Sequence, residues 1–549
     1  MEDIYSYGVE WDSTVADPTL TRIGNPLLHK SLPVQSQYRG CVANGATVNY
    51  YLNPNDWSQK ANGTPSVLDG TDGTVRVHIP RFYGKSGTEG TKRWVRISTI
   101  KMDDTWIEIP EMLVDAYRST VNQTGNKAVS VVNTTAQFRG GSNRTANDTY
   151  LDTDAFRSDL GKPRTSITRA NMRTYATNAG SEILCYEYYK WVFYWAWVIE
   201  YATFNSQATY NANLTSEGYH QGGLGDGITT MANWGEYNNY CPLTPCGYGN
   251  SIGNFTGIKD LVIPEFTYSK SSIRFDSWNN NATVCTSSNG SDNSKVITEV
   301  KVTDNYAFYH NPDNVWGTTT YHISGLTEGQ KVIFKEQQSG NSYTDAVIVK
   351  EVTQDGEVVI NWGEYNKNGK KYVGFSSVQV GCNIKIYNSN INTTTVTRPI
   401  QTLKMPRWRG FDNPFGDIWT NLDGIILERT AANQPSSVYT TTDPTAFGDD
   451  NTAKDKMTIA GVEIASDGWI KDFDLRETGE IIPSVVGGGS TTYMCDYHYC
   501  NAPTTVLRTL LVGGRADDGG SAGLGCFPSF NGVGLAYTDV GFRTLNKVV

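Results

Sequence analysis

This 549-residue chain is short of charge, of long apolar runs and of patterned cysteine. Charged residues make up 19% of it, and its six histidines are scattered. A formal net charge of −10 spread over this length argues against nucleic-acid binding through a broad basic face, which works by releasing counterions from phosphates. The most apolar stretch, "WVFYWAWVI" at 191–199, is nine residues long and is bracketed by Lys190 and Glu200. A membrane-spanning helix needs about 20 apolar residues, so this run is expected to be a buried helix and no membrane insertion is expected. The opening Met1-Glu2-Asp3 is acidic where an export signal has a basic region, so no export signal is expected. The nine cysteines (41, 185, 241, 246, 285, 382, 495, 500 and 526) are odd in number and irregularly spaced, which implies no disulfide framework.

The common signatures of chemistry are missing too. There is no P-loop, no H-E-x-x-H, no EF-hand loop and no strand-led G-x-G-x-x-G in the sequence, and each of those mechanisms depends on its spacing. "GGSAG" at 519–523 has the spelling of a nucleophile elbow. That elbow needs a strand before it and a helix after it, and here both flanks read as glycine-rich coil.

What the chain has in abundance is Gly (54), Tyr (32) and Trp (14), with Asn and Thr plentiful. This mix suits β-rich, loop-rich domains with polar but uncharged surfaces, and the length suggests about two to four domains. It resembles the composition of an extracellular adhesive protein, yet no export signal is expected. A virion component, made in the host cytoplasm and released by lysis, satisfies both conditions.

Along the chain, residues 1–74 read as an irregular N-terminal attachment segment. A first domain part covers 75–257. Within it, Thr165 or Ser166 is expected to cap a helix over "ITRANMRTYATNAG" that closes on Gly180, and a long helix follows from about Ser181 to Gln207. From 258 to 399 the sequence changes to short alternating runs such as "VITEVKV" and "AVIVKEV". These predict an inserted all-β sandwich. Residues 400–549 resume the first domain and are turn-rich, with glycine at nearly a third of positions 513–541.

The stretch "TTYMCDYHYCNAP" at 491–503 concentrates candidate metal or redox chemistry. On an extended strand Asp496, His498 and Cys500 would share one face, but same-face neighbours stand nearly 7 Å apart. That is too wide for three ligands to meet at one tetrahedral ion. A Cys495–Cys500 disulfide needs Cα atoms within about 7 Å, which a turn permits and a strand forbids. An aromatic strand bordering a ligand face is the reading favoured over metal or disulfide.

Several segments resemble the C-type-lectin fold of the formylglycine-generating (sulfatase-modifying) family and of the variable proteins of diversity-generating retroelements. "SITRANMRTYATNAG" looks like that family's first helix, and "AWVIEYAT" at 196–203 like its second. "FGDIW" at 415–419 and "LLVGGRADDGG…VGFRTL" resemble its closing elements. Longer stretches, including "EYATFNSQATYNANLTSEGYHQGGLG" and "PSVVGGGSTTYMCDYHYCN", look like virion and prophage proteins of gut Bacteroidales phages, head- or tail-fibre components of crAss-like phages. The resemblance covers 1–257 and 400–549.

It implies an α+β, C-type-lectin-like fold with the β-sandwich inserted, and a non-enzymatic virion adhesin without cofactor or metal. Its implied partners are other virion proteins, further copies of itself as a dimer or trimer, and a host-surface glycan. Two alternatives stand beside this: a purely structural decoration protein, and a formylglycine-generating oxidase. Cys495 and Cys500 have the oxidase pair's spacing after Gly488-Gly489-Ser490, but they fall before the closing element instead of inside it. No calcium-type E-P-N or Q-P-D motif is present. In such a fold the long terminal loops carry the ligand. Here these loops are 515–540, and Arg515, Asp517, Asp518, Phe527, Phe530, Asn531 and Tyr537 are expected to point outward from them.

Overall fold

The computed structural model describes residues 2–143, 158–208, 214–224, 228, 231, 243–263, 265 and 399–548, together with the backbone of the strands between 266 and 398. The chain divides into two compact units: Met1–Ile263 with Gln401–Val549, and Pro264–Ile400. Both are built mainly of β-sheet, and the few helices described belong to the first.

The first unit is organised around the aromatic run that the sequence singles out. Residues Tyr186–Tyr189 are α-helical, Lys190–Trp195 form a π-helical segment and Ala196–Tyr201 return to α-helix. From Tyr188 to Ala202 every residue is buried, as a helix apolar on all sides must be. The helix is shorter than the expected 181–207. At its start Glu182–Ile183 is drawn into a strand paired with Thr544–Lys547. At its end Ala202 turns left-handed (φ 50°) and its N–H closes on the Val198 carbonyl, a common helix stop. The preceding helix, Arg169–Asn178, is capped by the Thr168 hydroxyl on the Asn171 N–H, and Gly180 (φ 68°) follows its end. The cap therefore lies two or three residues later than expected, and Ser166 itself is left-handed (φ 56°).

Residues 1–74 are not irregular. Ser6–Asp12 lies inside a five-stranded sheet, ordered Thr21–Gly24, Ser6–Asp12, Lys92–Ser98, Phe82–Glu89, Ile107–Ile109. Arg39–Asn44, Thr47–Asn53 and Asp56–Lys60 complete a seven-stranded sheet whose other strands are Thr74–Ile79, Met112–Asp115, Thr544–Lys547 and Glu182–Ile183. The turn-forming "NPND" joins two strands at the Asn53–Asp56 pair, so this cluster is a hairpin connection. The segment also clamps the central helix: the Tyr38 hydroxyl donates to the Val192 carbonyl (3.1 Å) and the Gln35 amide to the Ala196 carbonyl (2.8 Å).

Gly257–Ile263 pairs antiparallel with Gln401–Trp408, and Ile263 stands opposite Gln401. The first unit thus closes on itself where the second begins. In the second unit an antiparallel six-stranded sheet runs in the order Phe275–Trp278, Asn383–Tyr387, Glu357–Asn361, Val347–Val352, Lys331–Glu336, Ile297–Val302. Two further ladders pair Phe266–Ser271 with Thr393–Arg398 and Glu364–Lys367 with Lys370–Val373.

Among the described residues no helix is long and apolar enough to cross a membrane.

Candidate functional site

Only Tyr497–Tyr499 of the 491–503 stretch forms a strand. Tyr493 (φ 52°), Cys495 (φ 58°) and Asn501 (φ 45°) are left-handed and bend the chain on either side. The short strand pairs antiparallel with Gly468–Phe473 and parallel with Phe527–Pro528, in a four-stranded sheet completed by Pro483–Val486. Alternation then sorts its side chains. His498 points in, and Tyr497 and Tyr499 point to a half-exposed face.

The inward groups are engaged separately. His498 Nδ1 meets the Phe527 carbonyl (2.8 Å) and Nε2 the Ile464 carbonyl (3.2 Å), with Glu463 at 3.7 Å. Asp496 accepts from the Gly525 N–H (2.9 Å), and burial pushes its carboxyl well above the usual range. The Cys500 N–H donates to Asp467 (2.6 Å). Cys495 and Cys500 are both buried free thiols, and burial pushes the Cys500 thiol up to about 12. Among the described residues no group of three or more His, Cys, Asp or Glu side chains is arranged to hold a metal.

The outward face is aromatic. Trp469 meets Tyr497 edge-on at 5.3 Å between ring centroids, Tyr497 meets Tyr499 at 4.4 Å, and Tyr499 meets Phe530 at 6.0 Å. Trp469, Tyr497 and Tyr499 are half-buried, and Phe530 is 36% exposed. Behind the row, Tyr497 packs on a buried cluster that contains Trp419, Cys526 and Phe542. Beside Trp469 lies the Gly519–Ser521 turn: a Cβ on Gly520 would stand 3.2 Å from Ser490 and 3.7 Å from the Trp469 ring. Ser521, the serine of "GGSAG", thus sits in a short 3₁₀ turn.

The residues expected to bind ligand do not all reach this surface. Phe527 (0% exposed) and Asn531 (8%) are interior, so the expectation that they point outward is wrong. The coil from Ala522 to Ser529 is buried throughout. A buried carbonyl needs a donor, and here Gln207 donates to the Ala522 carbonyl, the Tyr189 hydroxyl to that of Leu524, and Arg508 to that of Ser529, while His498 meets that of Phe527. Arg508, itself fully buried, donates to the carbonyls of Cys500, Ser529, Phe530, Asn501 and Thr504. Arg515, Asp517 and Asp518 do come together: Arg515 Nε lies 2.7 Å from Asp517 and 3.2 Å from Asp518, and its Nη1 2.8 Å from Asp539. Burial pushes the Asp518 carboxyl up to about 6 in spite of Arg515. Tyr537 is 51% exposed, and its carbonyl accepts from the Ser166 N–H (2.8 Å).

The sequence does not single out Trp469, because "DGWIKDF" carries no ligand or catalytic spacing of its own. Only pairing with Tyr497 brings it into the row. Compared with known proteins, the chain matches no family model and no curated protein.

Proposed function

We propose that this chain is a non-enzymatic virion adhesin of C-type-lectin-like fold, and that the row Trp469–Tyr497–Tyr499–Phe530 is where it holds a glycan of the host surface. The observation that carries the reading is the row itself: four rings in successive contact, partly open to solvent and backed by a packed core. Tyr and Trp offer large, rigid, amphipathic contact area at low entropic cost, which suits the C–H faces of sugar rings. The half-buried Ser521 and the exposed Asp517 supply polar groups on the loop beside it, for the hydroxyls. The fold and virion assignments rest on the resemblance of residues 1–257 and 400–549 to phage fibre proteins, and with them come attachment to other virion proteins and assembly as a dimer or trimer.

The test is a triple variant, Trp469→Ala with Tyr497→Ala and Phe530→Ala, measured for binding to host cells and to their purified surface polysaccharide. The expected result is at least a tenfold loss of binding with the cooperative unfolding transition retained. Unchanged binding would transfer the aromatic face to the competing reading, a decoration protein that docks on capsid or fibre.

A further inference from the structure

One end of the five-stranded sheet in the first unit carries an exposed apolar surface. Three strands stop level there: Ser6 stands opposite Ser98, and Tyr7 opposite Gly24. The chain just beyond each of these ends supplies the surface. Ile4 and Tyr5 come from the short helix Glu2–Tyr5 that leads into the first strand, Leu27 from the helix Pro26–Ser31, and Ile100 from the bend after Ser98. Two polar side chains tie these segments together. Asn25 donates from Nδ2 to the Ile4 carbonyl (2.7 Å) and accepts at Oδ1 from the Leu27 N–H (2.9 Å). The Ser98 hydroxyl donates to the Tyr5 carbonyl (2.8 Å) and accepts from the Ile100 N–H (3.1 Å).

The four side chains are between 45% and 69% exposed. A single exposed apolar residue is ordinary, but several gathered on one patch mark a contact site. The patch is also firmly backed, because Leu28, beside Leu27, packs on the main core. A surface already held in shape loses little freedom when a partner covers it.

The charges around the patch say which partner suits it. Three ion pairs stand on or beside the same segments: Glu2 with Lys85 (2.6 Å), Asp3 with Arg96 (2.6 Å) and Lys101 with Asp104 (2.9 Å). They sum to zero. An anionic membrane or a nucleic acid calls for a surplus of basic groups, and a strongly charged protein calls for a surplus of the opposite sign. A two-fold axis makes a surface face itself, so its rim must carry both signs, as this one does. The whole chain carries −10, so two copies repel on average and approach best where the charge is balanced. We infer that two copies of this chain associate through this end of the sheet, patch on patch about a two-fold axis. Ile4, Tyr5, Leu27 and Ile100 form the centre of the contact and the ion pairs its rim, the usual anatomy of an interface. The inference is separate from the aromatic row, and it goes beyond the proposed assembly by naming the surface and the symmetry.

The test is analytical ultracentrifugation of the purified full chain over a concentration series, with no glycan and no other virion protein present. A reversible monomer–dimer equilibrium is expected. Leu27→Asp and Ile100→Asp, both at exposed positions, should each raise the dissociation constant roughly tenfold or more, with the unfolding temperature and polysaccharide binding unchanged. Ile459→Asp, an equally exposed apolar position on another strand, should leave the equilibrium as it is. A chain that stays monomeric, or a dimer that both patch variants leave intact, would overturn the inference. A trimer would overturn it too, while leaving the proposed assembly of copies standing. If one patch variant does not fold, the other decides.

Discussion

At the scale of single residues, buried arginines fasten the 500–504 bend, and one of them also reaches the glycine-rich C-terminal coil. Arg508 ties the 500–504 bend to the Ser529–Phe530 segment through backbone carbonyls. Arg429 adds bonds to the carbonyls of Gln434, Cys500 and Asn501. Lysine cannot copy this, because a point-charge ammonium with three donors does not span the carbonyls that a planar fork reaches. Arg508→Lys is therefore expected to destabilise the fold by about 1–3 kcal/mol for each carbonyl left without a donor. Under the proposed function it should also weaken glycan binding at the aromatic row, because Arg508 holds the Phe530 carbonyl. Denaturant unfolding and polysaccharide binding check the two effects separately. Gly523 belongs to the same economy of space: a Cβ there would lie 1.8 Å from Asp496 Oδ1, so "GGSAG" needs its last glycine for packing.

At the scale of elements, the central helix carries ionic groups into the core and remains stable because each is paired. Glu200, in its last turn, meets Arg409 Nη2 at 2.7 Å, His220 Nδ1 at 3.1 Å and the Trp408 indole N–H at 3.1 Å. Burial alone would raise this carboxyl, but Arg409 and His220 outweigh it and hold it down at about 2. The sign of the pH dependence follows from linkage. A carboxyl whose value falls from 4.5 to about 2 on folding adds stability that is complete above about pH 4.5. That stability disappears as the pH falls toward 2. Unfolding temperatures measured between pH 6 and pH 2 should fall through this window, and Glu200→Gln should flatten that part of the profile while lowering stability at neutral pH. An unchanged profile in Glu200→Gln would assign the acid loss to other carboxylates.

For the whole molecule, the position of the seam between the units decides how they can be separated. The alternating runs place the insertion at 258–399, whereas the compact units meet at Ile263–Pro264 and Ile400–Gln401. Cutting at Gly257 and Lys404 would remove most of a ladder belonging to the first unit, including buried Leu261 and Leu403. Since Ile263 and Gln401 are paired across that ladder, their Cα atoms lie only about 4.5–5.5 Å apart. A two-residue Asn-Gly turn can replace 264–400 there. The shortened chain should unfold cooperatively and keep polysaccharide binding, as measured by calorimetry and a binding assay. Failure to fold would show that the second unit supports the first.

Local pattern alone determined several features of this protein. The nine-residue aromatic run had to be buried, "ITRANMRTYATNAG" had to hold a helix that stops before its glycine, and the segment from 258 had to hold strands. Each follows from side-chain periodicity or backbone preference within a few residues, which the linear order of amino acids records. Tertiary structure decided the rest. The turn cluster at 53–56 became a hairpin, and the strands of 1–74 found partners as distant as Lys92–Ser98 and Thr74–Ile79. Phe527 and Asn531 turned inward because distant partners, His498 along the strand and Arg508 at the Ser529 and Phe530 carbonyls, satisfy the backbone on either side. Trp469 joined the tyrosines, and Glu480 reached Lys190, through contacts that span 28 and 290 residues of sequence. Such contacts leave no local signature, because donors, acceptors and ring faces are matched by proximity in space and not by spacing along the chain.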